Sequence, residues 1–308
     1  MTGAGIGRVL LCIPLLNPGD DAYRLLHALA RQTVQPDDFV VVDSGSTDGT
    51  LSLFERAGAR VLRVARDAFS HGGTRQMAVD LSPPADIVVF LTQDAVLSRP
   101  DSLAALLCCF ADAGVGAAYG RQLPREGAGL IEAYARTFNY PAESRVKTLD
   151  DVPLLGIKTA FMSNSFGAYR SSVLHAVGGF PADIPLGEDC WVAAKMLLSG
   201  WKVAYCAEAT VFHSHSYGLA EEFRRYYDIG AFHARAGWLM QTFGGAGTEG
   251  GRFVHSELEY LARRAPSLIP SALLRTALKL AGYRAGRCER LYPSRLRRRM
   301  SMHRAVRG

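Results

Sequence analysis

The stretch VVVDSGSTDGT, Val40 to Thr50, decides the fold. Three valines run into Asp43 and then into Ser44-Gly45-Ser46-Thr47-Asp48-Gly49, the composition of a strand buried on both faces that stops in a turn. Downstream, the spacing predicts a helix over Thr50 to Ala57 and a strand from Arg60 to Val64. Upstream, Val9 to Leu15 repeats the apolar strand pattern, and Asp21 to Gln32 carries helical spacing through Tyr23, Leu26, Leu29 and Ala30. The alternation continues with a strand at Ile87 to Leu91 after Ser82-Pro83-Pro84, a helix at Leu103 to Phe110 and a strand at Gly116 to Tyr119. Runs apolar throughout and separated by helices predict an α/β fold on a mostly parallel sheet. In such sheets ligands sit beyond the carboxyl ends of the strands, so the polar clusters there come first as candidates.

Arg121 to Lys158 is rich in Pro and Gly and reads as a loop-rich, partly mobile excursion. Thr159 to Tyr169 and Ala209 to His215 read as strands around a helix at Asp189 to Leu198. From Leu219 onward the pattern is helical: Ala220 to Trp238, a Gly-rich break from Gly244 to Gly251, Phe253 to Arg264, and an amphipathic Ser271 to Ala281. That last segment puts Leu274, Leu278 and Ala281 on one face and Arg275 and Lys279 on another.

With 308 residues, 48% hydrophobic and 21% charged, the chain can bury a core and is not a disordered segment. The net charge of +6 is unevenly spread. Ser271 to Gly308 holds ten Arg and Lys279 against Glu289, a local +10, so the preceding 270 residues sum to −4. A mildly acidic body with a basic tail does not read as a nucleic-acid binder, because the body lacks a basic, aromatic face. The apolar run Leu103 to Ala111 is closed by Asp101 and Asp112, too short to span a bilayer. Met1 to Arg8 has no basic n-region and Pro14 interrupts Val9 to Leu16, so no export signal is read. The six cysteines show no CxxC pair or zinc spacing and read as reduced core residues, which fits a cytoplasmic setting.

Five clusters carry chemistry-bearing residues. Asp43 and Asp48 end a strand, where a carboxylate can accept from a ribose or base; Asp48 also suits an N-cap. In LTQDA (Leu91 to Ala95), Asp94 is an oxygen ligand at a second strand end. In FSHGGTRQM (Phe69 to Met77), Gly72-Gly73 frees backbone N–H groups and Arg75 offers a bidentate fork, together a phosphate clamp. In GEDCWVAAKM (Gly187 to Met196), one carboxylate of Glu188-Asp189 is explained by the helix dipole and the other suits a general base. In VFHSHSY (Val211 to Tyr217), His213 and His215 form an i, i+2 pair that suits metal or phosphate, or a hydrogen-bonded core.

In their order these segments resemble glycosyltransferase family 2, with the GT-A fold. The likeness runs from about Val9 to Tyr217 and includes CIPLLN (Cys12 to Asn17), VVDSGSTDGT, LTQDA, SNSFGAYR (Ser163 to Arg170), VGGF (Val177 to Phe180) and GED. SHGGTRQ with LTQDA and HSHSY resembles the rhamnosyltransferase branch. The resemblance implies a catalytic domain over 1–217, with a donor half to about 120 and an acceptor half beyond it, and a C-terminal helical region over 218–308. It implies donor contacts from Pro14, Asn17, Asp43, Asp48, Gly73, Arg75, Gln93 and Asp94. A Mg²⁺ or Mn²⁺ site on Asp94 and His213 follows, with Thr92 standing where the family's first Asp is usual. Asp189 is implied as catalytic base with Glu188 beside it. The implied reaction is inverting transfer of a sugar, L-rhamnose from dTDP-L-rhamnose, to a hydroxyl of a cell-surface polysaccharide or lipid-linked glycan. The basic tail then reads as a contact with anionic lipid on the inner face of the plasma membrane, or as a solvated or dimerising helix. Thr92 also leaves room for an inactive nucleotide- or glycan-binding homologue. A nicotinamide enzyme is not expected, because the first turn, PLLNPGDD (Pro14 to Asp21), lacks the GxGxxG fingerprint.

Overall fold

The computed structural model describes residues 7–245 and 247–303, without the side chain at position 248. The first half runs β1 (Val9–Leu15), α1 (Asp20–Ala30), β2 (Asp38–Asp43), α2 (Leu51–Arg56), β3 (Arg60–Arg63), α3 (His71–Asp80), β4 (Ile87–Leu91), β5 (Val96–Leu97), α4 (Ser102–Cys108) and β6 (Val115–Leu123). The second runs α5 (Leu130–Asn139), β7 (Arg145–Lys147), α6 (Val152–Leu155), β8 (Phe166–Arg170), α7 (Ser171–Ala176), α8 (Glu188–Leu198) and β9 (Lys202–Phe212). Five helices close the chain: α9 (Leu219–Arg235), α10 (Gly237–Phe243), α11 (Gly247–Arg264), α12 (Ile269–Arg287) and α13 (Ser294–Met300).

One sheet carries the order β3-β2-β1-β4-β8-β6-β9-β5, with β7 paired to β9. The valine run explains itself here. Val40 and Val42 enter the core on one side of the sheet, with Leu10, Cys12, Val88 and Phe90, while Val41 enters the other, with Leu11, Ile13 and Val89. Successive side chains point to opposite faces, so a strand covered on both must be apolar at every position. The parallel reading holds for β3, β2, β1 and β4. It ends at β8, which runs antiparallel to both β4 and β6 and makes the sheet mixed.

Three other expectations need correcting. Arg121 to Lys158 is not a loop excursion: α5, β7 and α6 lie in it, and β7 is held on β9 by Val146 opposite Ala204. Most of the strand expected from Thr159 is a 3-10 turn over Gly156–Ala160 and a loop, because β8 begins only at Phe166. The Gly-rich break is shorter than its composition suggests, since α11 starts at Gly247 and runs through Gly250 and Gly251.

The C-terminal helices form one wall of the molecule. α9 and α12 approach closely because Gly230, Gly282 and Gly286 sit at their contact. A Cβ on Gly286 would stand 1.9 Å from the Tyr227 carbonyl oxygen, and one on Gly282 2.3 Å from that of Phe223. Arg275 and Lys279 do not face outward: both reach Glu222 of α9, at 2.9 and 3.8 Å. The outward residues are Leu273, Leu274 and Leu280, 46–51% exposed. Among the described residues no helix is long and apolar enough to cross a membrane. The tail to Met300 is helical, whereas Arg304 and Arg307 lie outside the described residues, as do Met1 to Ile6.

Candidate active site

In the order β3-β2-β1-β4, the winding reverses between β1 and β4, so the chains leaving their carboxyl ends part and open a crevice. A cleft of about 1920 Å³ lies there. It runs from Pro14 and Ser44 across Gln93 and Asp94 to Asp189, and on to α9, α11 and α12.

Its first end is a wired platform. Gln93 grips the backbone of Leu16, accepting its N–H at 2.7 Å and donating to its carbonyl at 3.0 Å. Asn17, at φ 46°, accepts the Thr47 N–H at 2.7 Å. Asp43 accepts the N–H groups of Gly45 and Ser46, and Asp48 those of Gly19 and Thr50. Pro14, Ser44 and Gln93 line the cleft, whereas Asn17, Asp43 and Asp48 are outside its lining, the first and last exposed and Asp43 buried, and shape the turn.

At Gly73 and Arg75, where a phosphate clamp is expected, the packing occupies several of the donors, and Arg75 lines the cleft. Ser70 caps α3 by accepting the Gly73 N–H at 3.1 Å. The glycines are needed for space: a Cβ on Gly72 would fall 1.8 Å from the Pro181 carbonyl oxygen. Arg75 is 4% exposed and pairs with Glu188 at 2.9 Å. A buried carboxylate requires a compensating charge, and Arg75 supplies it. Glu188, also buried and on the cleft wall, accepts in addition from Asn164 Nδ2 at 3.1 Å, at the same Oε1 that meets Arg75.

Next to Glu188 stands Asp189. Gly187, at φ 85°, turns the chain into α8, with Phe232 only 2.7 Å from where a Cβ would sit. The Asp189 carboxylate accepts the Asn164 N–H at 3.1 Å and the Cys190 N–H at 2.8 Å. Tyr169 fixes Asn164 by donating to its Oδ1 at 2.7 Å. Burial, then the charge of Glu188, push the Asp189 carboxyl up to about 6, against those two N–H groups and Arg75. A carboxylate so placed, on the cleft wall and poised near neutral pH, is built to take a proton.

Across the cleft, Asp94 Oδ2 lies 3.4 Å from His213 Nε2 and 3.6 Å from His215 Nδ1. The three potential ligand atoms lie within 4.8 Å of one another. His213 Nδ1 is 2.9 Å from Gln122 Oε1, which also accepts from Arg136 Nη1 at 2.6 Å, while Gln122 Nε2 donates to Ser163 Oγ at 2.9 Å. A guanidinium only donates, so Oε1 must face Arg136 and accept from His213 Nδ1–H. With Nδ1 turned to Gln122, Nε2 is the ring atom that faces Asp94. Burial, then His213, push His215 down to about 4, and its ring is neutral at pH 7. Burial alone would raise the Asp94 carboxyl, but contacts with the two imidazoles outweigh it and hold the group ionised.

This set fits a divalent cation by donor chemistry: one carboxylate, two imidazoles and, beside them, the Thr92 hydroxyl, buried with no partner. The cluster contains both sequence candidates, Asp94 and His213, and adds His215, whose place in the HSHSY pair was the available signal. Gln122 and Asn164 had no comparable signal, because their roles depend on register across the sheet.

Over residues 7–227 the chain matches the family described as Glycosyltransferase like family 2. It belongs to that family. The O-antigen chain rhamnosyltransferase RfbN of Salmonella typhimurium is 46% identical over 299 residues, covering 97% of this chain and 95% of that one. WbaN of Salmonella anatum, with the same description, is 44% identical over 96% of this chain and 94% of its own. Among solved structures, the mannosyltransferase PcManGT from Pyrobaculum calidifontis, in complex with GDP-Man and Mn²⁺, superposes with a TM-score of 0.58 at 21% identity, covering 97% of this chain and 86% of that chain. The S. aureus TarS 1–349 complex with UDP-GlcNAc gives 0.53 at 16% identity, covering 92% and 91%. The family 2 chain therefore has the GT-A fold with added C-terminal helices, and it is a glycosyltransferase.

Proposed function

We propose that this family 2 glycosyltransferase moves L-rhamnose from dTDP-L-rhamnose to a hydroxyl of a growing O-antigen chain, with inversion at the anomeric carbon. The observation that carries the reading is the placement of Asp189 across one cleft from Asp94, His213 and His215. Relatives of 44–46% identity over nearly the whole chain, both described as O-antigen chain rhamnosyltransferases, support the sugar and the acceptor.

Asp189 removes the acceptor hydroxyl's proton as that oxygen attacks the anomeric carbon, and the bond to the nucleoside diphosphate breaks on the opposite face. The Asn164 and Cys190 N–H groups hold Asp189 in place, and Glu188, paired with Arg75, fixes the Asn164 side chain. The nucleoside end lies on the platform of Pro14, Ser44 and Gln93, with Asn17, Asp43 and Asp48 stiffening it. Asp94, His213 and His215 would hold a divalent cation, Mn²⁺ in preference to Mg²⁺ because two ligands are nitrogen. When bound, that cation offsets charge growing on the diphosphate. The inactive-homologue reading rested on Thr92; His215 would offer a third ligand beside Asp94 and His213, which supports the active reading.

We also assign residues 218–303 as part of the same site, since α9, α11 and α12 wall the cleft. The exposed leucines of α12, with Leu291 (80% exposed) and Leu296 beside Arg295, Arg298 and Arg299, suit an anionic membrane surface on the cytoplasmic side, where a lipid-linked acceptor resides. Flotation with phosphatidylglycerol vesicles tests this, and loss of binding in Leu273→Ser/Leu280→Ser is the expected result. For the reaction itself, dTDP-rhamnose, UDP-glucose, UDP-GlcNAc and GDP-mannose are each incubated with the enzyme and Mn²⁺. Nucleotide release from dTDP-rhamnose above the others is expected, and release from another donor alone overturns the sugar assignment.

A further inference from the structure

Beyond α13 the chain turns back over the cleft, and Met302 and His303 join its lining. Asp228 of α9, 1% exposed, accepts the Met302 N–H at 2.9 Å, and Ser301 Oγ accepts that of His303 at 2.9 Å. The segment is thereby pinned with the His303 ring edge-on to His71, centroids 4.5 Å apart. His303 Nδ1 lies 3.2 Å from His71 Nε2. His71 opens α3 and also lines the cleft, with Phe69 packed edge-on at 5.3 Å.

Burial first keeps both rings neutral; Arg75 and Arg225 add to it at His71, and at His303 the adjacent ring and Arg225 do so against Glu188. Each neutral ring carries one N–H. The single contact between the rings uses one donor and one acceptor, and His303 Nε2 is left buried with no partner. Were His71 to donate, His303 would hold an orphan N–H; were His303 to donate, an orphan lone pair. A ligand that only accepts, and carries negative charge, selects the first arrangement. The pair and the cation site line the same cleft.

We propose that His71 and His303 form a subsite for the donor's diphosphate, with His303 Nε2–H donating to a phosphate oxygen and Ser301–His303 forming a wall of the donor site. The inference rests on the nucleotide-sugar reading above.

Calorimetric titration of the full chain with dTDP, UDP and GDP, each with Mn²⁺, identifies the nucleotide it binds. That nucleotide is then titrated into His303→Ala, His303→Gln, Asp228→Ala and a chain ending at Met300, each checked for cooperative thermal unfolding. His303→Ala, Asp228→Ala and the shortened chain should bind roughly tenfold to a hundredfold more weakly, the worth of one hydrogen bond to a charged group. His303→Gln, which keeps an N–H near Nε2, should recover most of the loss. Full-chain binding that is matched or exceeded by His303→Ala and the shortened chain overturns the subsite and leaves the nucleotide-sugar reading standing. No binding of any nucleotide by the full chain removes both.

Discussion

Replacing Arg75 by methionine separates two jobs that the same side chain can be given. Arg75 and Glu188 are 4% and 6% exposed at their side chains and 2.9 Å apart, and the guanidinium also donates to the His71 carbonyl. Removing one partner of such a pair strands a buried charge, at a cost of about 3–5 kcal/mol. Some relief remains, because Asn164 still donates to Glu188, which places the expected loss at the lower end, ~3 kcal/mol. Replacing both residues by methionine removes the stranded charge, so the double variant should recover about 2 kcal/mol or more of the single variant's loss. Urea unfolding of wild type, both single variants and the double variant closes the cycle. A loss under about 1 kcal/mol in Arg75→Met, together with weakened nucleotide binding, would refute the reasoning and restore Arg75 as the phosphate clamp.

Three more outcomes follow from the same geometry. Because Asp189 must be ionised to accept a proton and is raised to about 6, turnover should fall as the pH drops through about 6, with nucleotide affinity less affected; a rate flat down to pH 5 contradicts this. Gln122→Leu deletes the acceptor that fixes the His213 proton and should weaken Mn²⁺ binding by roughly 10–100-fold, read by electron paramagnetic resonance without nucleotide; unchanged affinity removes the relay. Gly187→Ala forces a Cβ into a left-handed turn 2.7 Å from Phe232 and should cost about 1–3 kcal/mol by urea unfolding, with a change within error excluding the constraint.

The donor half was legible because its strands are covered on both faces, and a run such as Val40 to Val42 admits few other readings. β8 was not: Phe166 to Arg170 looks like any short strand, and its antiparallel direction comes from partners on either side, which periodicity cannot report. At the site, Asp94, His213 and Asp189 were legible as lone polar groups ending apolar runs or opening a helix. Arg75 and Glu188 were legible as functional types but not as partners, since the 112 positions between them close only in three dimensions. His303 was read as basic-tail sequence, and nothing in its neighbours points to His71.

The most direct test is rhamnosyl transfer from dTDP-L-rhamnose to an O-antigen acceptor by Asp189→Asn, with Mn²⁺-dependent dTDP binding measured on the same sample. The account predicts turnover lowered by at least about 10²-fold, the usual worth of a general base, with dTDP affinity within about threefold of wild type. Near-normal turnover of Asp189→Asn would contradict it.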